Sequence, residues 1–154
     1  MKDVVRIATY KDFIGELTAT YRRTTKPTVK ITSSKDIRPF IYPYFDEIMD
    51  DHEQVKIIHL NNSNNVVNVH ESTRGSEVGC VVDIKAILRH ALLIKTISII
   101  VIHNHPSGAL YPSQADKTFT EKLKKAAKYL DINVLDSVII TRESYYSFAD
   151  EGLL

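Results

Sequence analysis

The sequence predicts an α/β domain in which a mixed β-sheet carries helices on its faces. Three observations lead there. Stretches with apolar residues at helical spacing alternate with short β-rich runs. Two of those runs flank the Asn-rich tract Asn61-Asn62-Ser63-Asn64-Asn65, the pattern of an antiparallel hairpin. A further run, Thr96 to Ile102, is β-branched and apolar apart from Ser98, as expected of a strand covered on both sides.

Each element follows from its residues. Residues 1–30 are read as an N-terminal arm; Tyr10, Phe13, Ile14 and Leu17 have the spacing of one short amphipathic helix, and Tyr21 to Pro27 form a basic connector. The main domain spans 31–154. Thr32-Ser33-Ser34-Lys35-Asp36 is a helix start, a hydroxyl cap with an acid in the first turn. That helix is expected to turn Ile37, Phe40, Ile41, Tyr44, Phe45 and Ile48 inward, with Pro39 suiting its early turns and Pro43 kinking or dividing it. Glu53 to Leu60 is a strand, Val66 to Val69 its hairpin partner, and Thr73 to Gly79 a loop. Asp83 caps a helix carrying Ile84, Ile87, Leu88, Ala91 and Leu92. After the strand ending at Ile102, His103 to Pro112 is irregular. Ser113 opens a helix to about Leu130, with Phe119, Leu123, Ala126, Ala127 and Leu130 on one side. Ile132–Thr141 and Tyr145–Phe148 read as closing strands.

Composition bounds the function. The chain has 154 residues, 44% hydrophobic and 25% charged, a profile of one globular domain. Twenty basic residues against 19 acidic ones leave a net charge of +1, which gives no overall footprint of a nucleic-acid binder. The single cysteine, Cys80, excludes an internal disulfide and a cysteine-based zinc ribbon. Met1 to Arg6 lacks the apolar core of a signal peptide, and no apolar run approaches the roughly 20 residues of a membrane span. The expectation is a cytoplasmic protein with no membrane contact.

The chemistry concentrates in His103-Asn104-His105-Pro106-Ser107-Gly108, followed by Pro112-Ser113-Gln114-Ala115-Asp116. Residues two apart in extended backbone point to one side, so His103 and His105 can aim two imidazoles at one point. Asp116 falls in the first turn of the next helix, where free amides and the dipole favour a carboxylate. Ser113 and Asp116 also have the spacing of a plain N-cap with an acid at the third helical position. Two histidines and one carboxylate, with a fourth position for water, form the open arrangement of a catalytic Zn2+ site. The cap and the site are compatible, since a cap fixes the side chains a site needs fixed.

This stretch resembles the JAMM metal-binding motif of JAB/MPN metalloprotease-like domains, and His103 to Gly108 is the hallmark of the RadC family within them. The likeness continues through Leu130 to Asp136 and Tyr145 to Leu154; it covers residues 53–154 well and 28–52 loosely. The resemblance implies a cytidine-deaminase-like fold, with zinc on His103, His105 and Asp116, Ser113 stabilising an oxyanion, and an upstream Glu as general base. Glu53 is the candidate for that base, ahead of Glu71 and Glu77; its plain alternative is a solvated charge at a strand start. The implied activity is hydrolysis of a peptide, isopeptide or related amide bond in a protein or peptide substrate. Longer RadC proteins carry an N-terminal helix-hairpin-helix region, for which residues 1–30 are too short. The alternative is a non-catalytic, metal-containing module docking a protein or DNA partner.

Other features read more plainly. His103-Asn104-His105 is not the HNH nuclease unit, which spreads those residues over a ββα motif. Zinc deaminase chemistry needs a Cys-x-x-Cys pair that one cysteine cannot supply. Cys80 reads as a small buried residue, with a redox role as second reading. His52, His59, His70 and His90 lack ligand-like spacing and read as surface or satisfied core residues. Lys117, Lys122, Lys124, Lys125 and Lys128 read as a solvated face, or with Arg22, Arg23, Lys26 and Lys30 as a phosphate-binding patch.

Overall fold

The computed structural model of the protein describes residues 12–76, 79–80 and 82–154. In chain order these form α1 (Ser34–Phe45), β1 (Gln54–Leu60), β2 (Val66–Ser76), β3 (Gly79–Cys80), α2 (Ile84–Leu93), β4 (Ser98–Asn104), α3 (Gln114–Lys128), β5 (Asn133–Ile140) and β6 (Tyr145–Ser147). The six strands make one sheet in the order β3-β2-β1-β4-β5-β6. β4 and β5 run parallel, joined across α3, and every other neighbouring pair is antiparallel. The expected mixed sheet with helices on its faces is what the chain forms.

The period of two along the central strands divides the core. Ile58, Leu60, Ile100, Ile102, Val138 and Ile140 face α1 and meet Ile37, Ile41, Phe45 and Met49. Val55, Ile57, Ile99 and Val101 face the other way, against Ile87, Leu88 and Ala91 of α2 and Leu123 and Ala127 of α3. β4 is buried along its whole length, as its apolar sequence requires.

Several expectations are corrected. Residues 12–20 form no helix; Phe13, Ile14 and Leu17 are exposed, and Tyr10 lies outside the described residues. The arm is held further along, where Tyr21 and Thr28 donate to the carbonyls of Val67 and Val66. Pro43 does not divide α1, which runs unbroken through both prolines; Met49 is fully buried while Ile48 is half-buried, because the chain turns after Phe45. β2 extends to Ser76, through residues expected to be a loop, because Thr73 and Arg74 pair with Val55 and Gln54 of β1, and Gly75 and Ser76 pair with Cys80 and Gly79 of β3. Those residues lack apolar alternation, yet their backbone groups still complete a ladder. β4 begins and ends two residues later than its apolar run, carrying His103 and Asn104 within the strand. Leu92 and Leu130 point outward rather than into the core.

Between α2 and the sheet lies a feature the spacing did not announce. His59 of β1, His70 of β2 and His90 of α2 stack together, with ring centroids 4.9, 5.0 and 3.8 Å apart. Burial, then repulsion from the other two rings, holds His59 down to about 2; burial and His90 hold His70 down to about 3. The unfolded chain has ordinary imidazoles near 6.5, so on acidification it binds protons that the native state refuses. Stability is therefore present above about pH 6.5 and is lost progressively as pH falls below it. Thermal melts of chelator-treated protein between about pH 7.5 and pH 5 are expected to show a falling midpoint, less steep in His70→Gln. A flat profile would contradict this reading of the cluster.

Candidate metal centre

The centre forms at the end of β4, where two strands and a helix terminus meet. His103 is the last inward residue on the α2/α3 side of β4, in register with Val55 of β1 and Ile139 of β5. His105 follows one turn of the pleat later, its N–H donating to the Ile140 carbonyl at 3.1 Å, which keeps the chain extended past the strand. The chain then turns tightly, with the Gly108 N–H on the His105 carbonyl at 3.0 Å. Gly108 has φ +83°, a conformation other residues resist, and the turn brings the Ala109 carbonyl back to His105 Nδ1 at 2.6 Å. A carbonyl only accepts, so Nδ1 carries a proton, and in the neutral ring Nε2 presents its lone pair to the centre.

Asp116 arrives from the other side on the first turn of α3. Ser113 Oγ accepts from the Asp116 N–H at 3.0 Å, and the Asp116 carboxylate accepts from the Ser113 N–H at 2.8 Å, a complete capping box. Its oxygens then stand 3.3 Å from His103 Nε2 and 3.4 Å from His105 Nε2. The two Nε2 atoms are 3.1 Å apart, and Glu53 Oε1 lies 3.5 Å from His105 Nε2. Glu53 immediately precedes β1. Glu53, His103 and His105 form a group whose ligand atoms lie within 4.8 Å of one another, able to hold a metal ion.

These separations suit a small tetrahedral cation. Ligands about 2.0–2.1 Å from a zinc-sized ion stand roughly 3.3 Å from each other, the spacing found among the His103, His105 and Asp116 atoms. The electrostatics agree. Burial works to raise the Asp116 pKa, but hydrogen bonds from His103 and His105, the His103 charge and the Ser113 amide outweigh it and leave the carboxyl far below its usual range. Burial likewise works to lower His105, while Asp116, the Ala109 carbonyl and Glu53 prevail and raise it. The two shifts are opposite because the imidazoles and the carboxylates attract one another.

The sequence reading missed what holds Glu53 there. Asn104 lies between the two histidines, on the opposite face of β4, and is fully buried. Its Oδ1 accepts from the Gln54 N–H at 2.8 Å, and its Nδ2 donates to the carbonyls of His52 at 2.8 Å and Met49 at 3.0 Å. One side chain thus ties the segment after α1 to the end of β4 on either side of Glu53. A buried Asn inside a His-x-His pair was the available signal. Of the other acids, Glu71 stands on β2 opposite Lys56 and is not in the group around the two histidines; Glu77 lies outside the described residues. Cys80 sits on edge strand β3 opposite Gly75, with β2 and β1 between it and β4.

Fold and centre together define a mixed α/β domain with a His/carboxylate site able to hold a metal. A family model described as the RadC-like JAB domain matches residues 31–153, and the chain belongs to that family. A UPF0758 protein of Flavobacterium johnsoniae is 44% identical over 124 residues, 80% of this chain and 53% of its own length. One from Thermotoga maritima is 33% identical over 134 residues, covering 86% of this chain and 60% of the relative. The UPF0758 protein YkfG of Escherichia coli is 33% identical over 139 residues, 90% of this chain and 86% of the relative. The chain spans about half the length of most of the curated relatives it matches. Among the described residues no helix is long and apolar enough to cross a membrane.

Asn104→Leu keeps the volume and removes the clamp, leaving the Gln54 N–H without its acceptor. Chemical denaturation is expected to show a loss of about 1–3 kcal/mol. A loss below about 0.5 kcal/mol would mean that the clamp is idle.

Proposed function

We propose that the protein is a zinc-dependent hydrolase of the JAMM type, acting on a peptide, isopeptide or related amide bond. The observation that carries this is the convergence of His103, His105 and Asp116 at tetrahedral spacing with a second carboxylate, Glu53, at the rim of the same centre. In this reading His103 Nε2, His105 Nε2 and the Asp116 carboxylate hold the ion, and Glu53 is the base. A divalent zinc ion supplies Lewis acidity, lowering the pKa of water and polarising a carbonyl oxygen.

The chain's own residues do the rest. Glu53, held from both sides through Asn104, accepts the proton of the attacking water and returns it to the departing amine. The Ala109 carbonyl keeps His105 in the tautomer that leaves Nε2 free. Ser113 caps α3 with its oxygen lone pair, so its hydroxyl proton is available to a developing oxyanion. The contacts of Asp116 with the two imidazoles and the Ser113 amide keep it ionised. Cytoplasmic action on a protein or peptide is part of the proposal.

Elemental analysis should find zinc bound here in the wild-type chain and lost at this centre in His103→Ala and Asp116→Ala. Glu53→Gln should keep the metal while amide hydrolysis of a peptide library, read by mass spectrometry, falls about 100-fold or more. Failure to take up zinc on reloading would overturn the reading, and so would a Glu53→Gln chain as active as wild type. Metal retained without hydrolysis by the wild type would favour the docking module.

A further inference from the structure

The stacked histidines between α2 and the sheet are separate from the centre just described, and the hydrolase reading makes no use of them. We propose that His59, His70 and His90 form a second binding site for a divalent transition-metal ion of the zinc type. Each offers one ring nitrogen, and the three lie within 4.8 Å of one another.

The placement follows from strand register. Ile57 pairs with His70 and His59 with Asn68, so His59 and His70 are diagonal neighbours on one face of the hairpin. α2 packs on that face and lays His90 across them, its ring 3.8 Å from that of His70. His59 Nε2 and His70 Nδ1 are 2.8 Å apart, a gap that one shared proton fills. Replacing that proton by an ion about 2.0–2.1 Å from each nitrogen needs the pair to open by roughly half an ångström.

Outer partners already orient two of the rings. His59 Nδ1 is 2.9 Å from Thr96 Oγ1, which leaves Nε2 for the cluster. His90 Nε2 donates to Asn68 Oδ1 at 2.9 Å, leaving Nδ1 as its lone-pair nitrogen. A polar partner on the far nitrogen is the usual support of a metal-bound histidine. Burial and mutual repulsion keep the rings neutral, so an ion entering near neutral pH displaces little charge. Three imidazoles and no hard oxygen ligand select zinc, cobalt, nickel or copper over magnesium or calcium.

The cluster reaches solvent on the side of the arm. Asn68 and His90 line a cavity whose wall includes Arg22, Arg23 and Arg89. Those guanidinium groups favour an anionic oxygen or a halide as the fourth ligand. Six residues of extended β1 separate His59 from Glu53, about 20 Å, so the two sites can be emptied independently.

The test uses the whole chain carrying His103→Ala and Asp116→Ala, which removes the first centre. Dialysed against Zn2+, this variant should retain one equivalent, and Co2+ should give the visible absorption of a four-coordinate site. Adding His90→Ala, or His70→Gln, should weaken Zn2+ binding by about 100-fold or more while the far-ultraviolet spectrum is kept. Zn2+ should raise the thermal midpoint of the double variant, a readout that holds even if the added substitutions unfold the chain. No stoichiometric metal in the double variant, no rise in its midpoint, or undiminished binding after His90→Ala would overturn the proposal. The first centre is counted by its own variants, so failure here leaves it standing.

Discussion

Two imidazole nitrogens and two carboxylate oxygens face one another at the end of β4, and so dense a set of polar atoms calls for a proton or a cation among them. His105 Nε2 has no proton in the neutral ring, because Nδ1 spends it on the Ala109 carbonyl. Around it stand His103 Nε2, an Asp116 oxygen and Glu53 Oε1, at 3.1, 3.4 and 3.5 Å. Lone pairs so arranged repel unless a proton or a cation sits between them, and the raised His105 and lowered Asp116 pKa values reflect the attraction of imidazole for carboxylate. A proton meets that need in part. A metal ion held by these groups would meet it more fully.

The fold supplies this arrangement through the alternation of one strand. His103 points toward α3 and meets the first-turn carboxylate, while Asn104 points toward the segment after α1 and grips it. His105 then points back to the centre. Three consecutive residues thus face the centre, grip the segment after α1 and face the centre again, and the period of two in extended backbone is what lets them do so. The parallel β4–α3–β5 unit brings the α3 N-terminus over the end of β4, so the capping box that starts a helix also aims Asp116.

Much of this was legible because it is written in local pattern. The Asn-rich turn, the caps at Asp83 and Ser113 and the apolar run before His103 each depend on near neighbours, and the elements form where those signals fall. What was not legible depends on distant partners. β2 is extended through Thr73 to Ser76 because β1 and then β3 pair with its backbone, not because those side chains favour a strand. Asn104 has a role only once the chain after Ile48 returns past it. His59, His70 and His90 are scattered in sequence and adjacent only through hairpin register and the packing of α2. The arm misled for the opposite reason: its helical spacing has no apolar surface to pack on, and Ile14 is fully exposed.

The most direct test of the central constraint is anomalous diffraction at the zinc edge from crystals of the zinc-loaded chain. The account predicts a peak about 2.0–2.1 Å from His103 Nε2, His105 Nε2 and an Asp116 oxygen, with Glu53 standing back from the ion. A loaded crystal with no peak between the two histidines would contradict it, and so would an ion held there by Glu53 with Asp116 turned away.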